Sequence, residues 1–159
     1  MKAFRLGQYL RLLYCGLPVL VCALPTMADT PTPVGRWLTQ NGNGVVEIAP
    51  CDKQLCGKLV WFASQNADGR KIVDTHNPKP ELRARALCGL AMLGEFKQSD
   101  GNRWNDGWIY SPENGKTYSA SITMENGNTL QLRGYIGISL FGETQTWTRA
   151  DPAFPLCKD

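Results

Sequence analysis

Any chemistry in this chain would come from a short set of residues. His76 is the only histidine and stands between Asp74 and Asn77, Asp106 lies between Trp104 and Trp108, and Glu143 opens the run ETQTWTR. A histidine acting as general base or metal ligand needs partners, and the neighbouring sequence supplies none, so His76 reads as a solvated loop residue. Asp106 between two indoles could be a buried acid with a raised pKa. On a strand bent by Gly107 it is expected to face outward instead. Glycosidase-like chemistry requires two carboxylates facing one cleft, and nothing in the spacing brings Asp106 and Glu143 together. There is no G-x-S-x-G elbow, H-E-x-x-H helix or phosphate-cradling glycine loop. The sequence therefore predicts no catalytic residue, no metal, no cofactor and no enzyme. An enzyme using Asp106, or Asp74 with His76, is the least favoured reading.

Aromatic and polar positions point to binding. Trp37, Trp61, Trp104, Trp108 and Trp147, with Tyr110, Tyr118 and Tyr135, are many large rings for a small chain. Rigid apolar walls with a few polar groups are what a ligand cavity is made of, although the same rings could fill an ordinary core. Trp147 shares a strand face with Glu143, Gln145 and Arg149, so an inward Trp147 would bring polar groups inside. The expected ligand-contacting residues are Trp37, Trp61, Trp108, Tyr118, Tyr135, Gln145 and Trp147. Arg149 is expected to stack on Trp37 as a structural latch. Arg70, Lys71, Lys79, Arg83 and Arg85 gather in or beside one loop. They could receive an anionic headgroup, but Asp68, Asp74 and Glu81 dilute them and a solvated surface is preferred.

Lys2, Arg5 and Arg11 precede the apolar run 12–24, and a small-residue site ends at Ala28. This is the form of a secretory signal, too short for a membrane span. Bulky Val21 before Cys22 argues against a lipoprotein signal. Export to the periplasm is expected, with residues 29–159 forming one domain and no transmembrane segment in it. The whole chain carries a net charge of +3. Three of its 17 basic residues belong to the signal, which leaves 14 against 14 acidic ones. A neutral chain offers no nucleic-acid footprint. Cys51, Cys56, Cys88 and Cys157 remain in an oxidising compartment, where disulfides are expected. Four cysteines allow three pairings. A bridge across the Asp52-Lys53-Gln54 turn joins Cys51 to Cys56, leaving Cys88 for Cys157. The spacing does not suit a zinc site.

The elements that must position these residues are short strands. Arg36 to Gln40 ends at Asn41-Gly42-Asn43-Gly44, a hairpin signal, and Val45 to Ala49 follows. Leu55 to Trp61 comes next, with Leu55, Leu59 and Trp61 on one face. Residues 64–86 break the rhythm, and a connection this long is often a lid or binding loop. Within it Asn77 could cap, and Pro80 open, one or two turns of helix. Strand signals resume at Leu87 to Phe96, then at Trp104 to Tyr110, where Trp104, Trp108 and Tyr110 share a face. Tyr118 to Met124 alternates cleanly. The last hairpin pairs a strand carrying Leu130, Leu132 and Ile136 with a run from Leu140 to Thr148. Trp37 near the start and Trp147 near the end lie on strands that can pair and close the sheet. The fold class is all-β: a small closed antiparallel up-and-down barrel of about eight strands, with one long loop and a short helix.

Gly35-Arg36-Trp37-Leu38-Thr39, Cys51 with Leu55-Cys56-Gly57, Val60-Trp61, Asp74 with Asn77-Pro78, and Arg133-Gly134-Tyr135 with Thr146-Trp147-Thr148-Arg149 resemble a bacterial exported family. It is known as domain-of-unknown-function family 2147. The resemblance spans nearly the whole exported segment and implies a lipocalin-like (calycin) barrel, whose G-x-W start and late arginine match the same residues. Ala86 departs from it, since proline is expected there. The expected function is binding of a small apolar or amphipathic ligand, a lipid or fatty acid. The alternative is an envelope protein-interaction scaffold acting through the 64–86 loop, with a protein partner.

Overall fold

A computed structural model of the chain describes residues 31–64 and 71–157. The expected signal segment 1–28, and with it Asp68 and Arg70 of the long loop, lies outside the described residues. Eight strands run in chain order around a closed antiparallel barrel. They are β1 (Gly35–Leu38), β2 (Gly44–Cys51), β3 (Gln54–Phe62), β4 (Ala91–Asp100), β5 (Arg103–Ser111), β6 (Lys116–Asn126), β7 (Thr129–Tyr135) and β8 (Glu143–Arg149). Two single-turn 3-10 helices, Pro80–Leu82 and Ser139–Phe141, interrupt the connections. No helix among the described residues is long and apolar enough to cross a membrane.

Closure comes from the ends of the sheet. Trp37 and Leu38 of β1 pair with Arg149 and Thr148 of β8, so no edge strand is left to template further pairing. Up-and-down connectivity then sends alternate connections to opposite ends. The β2–β3, β4–β5 and β6–β7 turns gather at one end, and the β1–β2, β3–β4, β5–β6 and β7–β8 connections at the other.

The sheet register shifts at several points, and three of the bulges each place two residues three apart in the core. Val45 pairs with Trp61 but Val46 with Leu59, leaving Val60 as the extra residue. Leu59 and Phe62 therefore both face inward, while Trp61 turns outward with Val60. Gly57 pairs with Leu93 and Leu55 with Phe96, with Glu95 at φ 66° between them. Trp104 pairs with Ile122 and Gly107 with Ala120, with Asp106 at φ 60° between them. A side chain at Gly107 would strike the Phe96 ring, so the glycine is what lets Phe96 lie across the barrel.

Two apolar clusters result. The interior holds Trp37, Val46, Ile48, Leu93, Phe96, Trp104, Ile122, Met124, Leu130 and Trp147 among others. A second cluster of Val45, Val60 and Ala150, with Leu38, Trp61 and Phe154, lies outside the sheet. Trp61 meets Phe154 edge-on with ring centres 4.6 Å apart, so the C-terminal segment covers this outer patch. Cys88–Cys157 fixes that segment, and Cys51–Cys56 bridges the β2–β3 turn.

Some expected boundaries shift. β4 begins at Ala91 rather than Leu87, because the chain before it bonds to β3 through Leu59 N–H to Leu90 O and Gly89 N–H to Leu59 O, both 2.9 Å. β8 begins at Glu143 rather than Leu140. Ladder pairing between β7 and β8 stops at Gly134 and Glu143, and Ile136 and Leu140 are left outside the core.

Candidate functional site

The two ends of the barrel differ in filling. Toward the end closed by residues 31–34, Trp37, Phe96, Trp104, Ile48, Met124 and Leu130 pack with almost no exposure. Toward the other end a cavity of about 800 Å³ opens. Its inner wall is Leu59, Phe62, Met92, Ile109, Leu132 and Trp147, and its rim carries Thr39, Asn41, Thr75, His76, Glu113, Asn114 and Glu143. A volume of this order suits a small-molecule site, for which about 300–1,000 Å³ is usual.

Of the seven expected contact residues, Tyr118, Gln145 and Trp147 line this cavity. Gln145 pairs with Leu132 across β7–β8, and its Oε1 accepts a 2.9 Å bond from Trp147 Nε1. Asn114 donates to the Tyr118 hydroxyl at 3.0 Å. The other four lie elsewhere. Trp37 is sealed in the floor, its Nε1 donating to Pro33 O at 2.7 Å. Trp61 is turned outward by the β3 bulge and packs under Phe154. Trp108 leaves the face of Trp104 because of the β5 bulge; it pairs with Ser119 and lies against Gly94, where a Cβ would meet its ring at 2.9 Å. Tyr135, paired with the same Ser119, lines a polar groove on the outer surface with Arg103, Asp106 and Arg133.

The stack of Arg149 on Trp37 is present, with the guanidinium carbon 3.9 Å from the ring centre. Arg149 also donates to Gly127 O, Val34 O and Thr32 O at 2.7–3.3 Å, tying the β6–β7 turn and the chain start across the floor. Burial draws its pKa down from the ordinary value. Gly35 has φ +128° and a Cβ there would lie 2.4 Å from Nη1, a physical reason for glycine two residues before the tryptophan.

The described part of the long loop is strapped over the mouth. Val73 pairs with Ala86 in an isolated antiparallel bridge, so this departure from the family pattern sits where the loop pairs with itself. Asp74, 1% exposed, is the anchor. Its Oδ1 accepts from the Tyr110 hydroxyl at 2.7 Å, and its Oδ2 from Asn77 Nδ2 and Arg85 Nε at 2.9 Å each. Arg85 also lies 5.4 Å over the Tyr110 ring. Burial pushes the Asp74 carboxyl up, but the bonds from Tyr110, Asn77 and Arg85 and the guanidinium charge outweigh it, holding the pKa below its ordinary value of 3.8. Burial and the bond to Asp74 raise the Tyr110 hydroxyl above 10.0. Asn77 does not cap the 3-10 turn; its Oδ1 accepts from Lys79 N–H at 2.9 Å.

The residue pair best placed for chemistry in the sequence is thus separated in role. His76 Nδ1 donates to Pro112 O at 3.2 Å, which joins the loop to the β5–β6 turn, while Asp74 is committed to the loop anchor. At Gly115 (φ +68°) a Cβ would come within 1.9 Å of His76 O. His76 lines the cavity rim, which spacing alone did not reveal. Leu59, Phe62, Met92, Ile109 and Leu132 were also missed, as ordinary strand residues. Among the described residues no group of three or more His, Cys, Asp or Glu side chains could hold a metal ion.

The closed eight-stranded barrel with one filled and one open end is that of a lipocalin-like protein. The chain belongs to the family of uncharacterized proteins conserved in bacteria, DUF2147, whose model matches residues 35–149. Among solved structures it is similar to protein HP1028 from Helicobacter pylori, described as belonging to the lipocalin family. The TM-score is 0.68 at 22% identity, over 77% of this chain and 86% of that one. No curated protein sequence matches the chain.

Proposed function

We propose that this is a periplasmic binding barrel, not an enzyme, which holds a small apolar or amphipathic molecule in the 800 Å³ cavity. The observation that carries the reading is the division of the cavity into an apolar inner wall and a polar rim. An acyl or other apolar portion would lie against Leu59, Met92, Ile109 and Trp147, with Gln145 and Tyr118 as the inner polar contacts. The described lining residues include the acidic Glu113 and Glu143 and no lysine or arginine. That set favours an uncharged or cationic head over the carboxylate of a fatty acid. Two disulfides and membership of a bacterial family fit an exported protein. The anchoring by Asp74 supports a fixed rim more than a loose capture arm for a protein partner.

The test is solvent extraction of the protein recovered from the cell envelope, with mass spectrometry of the extract. It is paired with titration of the emptied protein by a fluorescent long-chain amine, alcohol and fatty acid of equal length. A co-purifying amphiphile displaced by the amine or alcohol is expected. An empty extract together with no response to any of the three would sink the reading.

A further inference from the structure

Among the described residues, the connection from β7 to β8 carries the most exposed large apolar side chains. Ile136, Ile138, Leu140 and Phe141 are 70, 59, 77 and 79% exposed, and no residue from Gly134 to Gly142 is charged. Scattered surface apolar residues are normal, but four in six consecutive positions form a patch. The loop is internally bonded rather than loose. Arg133 donates through Nε and Nη2 to Ser139 O at 2.9 and 2.6 Å, and through Nη2 to Leu140 O at 3.2 Å. Phe141 N–H bonds Ile138 O and Gly142 N–H bonds Ser139 O. Several backbone carbonyls at the tip are thereby satisfied while the side chains point away.

We infer that this loop is a membrane-contacting tip that seats the cavity mouth on a phospholipid surface. The order of chemistry along it fits a bilayer interface: apolar side chains at the end, half-buried Tyr135 at the base, and the Arg133 guanidinium beneath. Apolar groups enter the acyl boundary, while tyrosine and arginine sit at headgroup level. Carbonyls already bonded within the protein can approach hydrocarbon without leaving an unpaired polar group. The size of the patch also separates bilayer from protein. The four side chains offer roughly 600 Å² on a convex tip, less than the ~800 Å² per partner of a standard stable protein interface. A fluid lipid surface wraps a convex tip without needing a complementary groove. Gly134 and Glu143, which bracket the loop, both line the cavity, so insertion would place the mouth against the leaflet. The inference stands on the loop and does not depend on what the cavity holds.

Flotation of the envelope-purified protein with phosphatidylcholine vesicles, and with phosphatidylethanolamine–phosphatidylglycerol vesicles, tests it. Binding to both, surviving high salt, is expected. L140S/F141S and, separately, I136S/I138S should each lower partitioning at least about tenfold, with thermal unfolding and cavity titration unchanged. In F141W, brominated phosphatidylcholine should quench an additional tryptophan signal relative to the parent protein. Absence of vesicle binding overturns the inference. So does binding that salt abolishes and the tip variants leave intact, which is adsorption through surface cations. A concentration-dependent dimer lost in the tip variants, without vesicle binding, assigns the loop to a second copy of the chain and equally overturns it.

Discussion

The floor and the mouth of the barrel are built from the same strands, yet they use their residues in opposite ways. At the floor, Trp37, Phe96 and Trp104 meet across a barrel narrowed by glycine at 107, and Arg149 ties the turn and chain start over them. At the mouth, walls of Leu59, Met92, Ile109 and Leu132 with Phe62 and Trp147 stand apart, and a polar network around Asp74 holds the covering loop. Floor stability is therefore close-packed apolar area, insensitive to pH. Mouth stability rests on a buried carboxylate and its partners, which acid can undo. Floor and cavity wall belong to one continuous apolar cluster, so the filled end supports the open one from beneath.

The contrast can be broken most severely at the floor. Trp37→Ala should cost about 3–5 kcal/mol and lower the melting temperature more than any mouth substitution. An effect below that of the mouth variants would remove the floor as the stability centre.

Asp74→Ala should cost about 2–4 kcal/mol, since it leaves Arg85, Asn77 and Tyr110 without their common acceptor. The folded carboxyl titrates below 3.8, so its contribution is complete above that pH and is lost as pH falls through the lower folded value. Hydrogen exchange in residues 72–87 should rise in acid before exchange at the floor does. In Asp74→Asn this acid dependence should flatten. Equal acid response at both ends would erase the distinction.

Arg149→Ala should cost about 1–2 kcal/mol, from the ring contact and the bonds to Gly127, Val34 and Thr32. Denaturant unfolding would measure it, and an unchanged midpoint would remove the latch. The smallest stability effect, under about 1 kcal/mol, is expected for Ile109→Trp, which puts a ring into open space. Its effect on binding should be large: the fluorescent amine of the cavity titration should lose affinity at least about tenfold. Unaltered affinity would place the bound molecule outside the cavity.

Closure, the disulfide pairing and the Trp37–Arg149 contact were all readable from the chain, because each depends on residue type and order. Hairpin turns at Asn41-Gly42 and Glu125-Asn126-Gly127 fix which strands are neighbours, and neighbours in sequence become neighbours in the sheet. The direction of individual rings was not readable. Trp61 and Trp108 follow period-two expectations only until Val60 and Asp106 enter as extra residues, and after each bulge every following side chain changes face. Simple alternation puts Tyr135 on the face opposite Leu132, which is the outer face, so expecting it in the cavity conflicts with the sequence pattern itself. Ile136 and the run from Leu140 were expected as strand on either side of a turn at 136–139; the end of ladder pairing at Gly134 and the Arg133 bonds put both in the exposed tip. Sequence alone determined the order of strands and the closing of the sheet, which are set by local turn chemistry and chain connectivity. Tertiary structure decided what is inside, because the placement of a bulge depends on how two strands pair across the barrel and not on either strand alone.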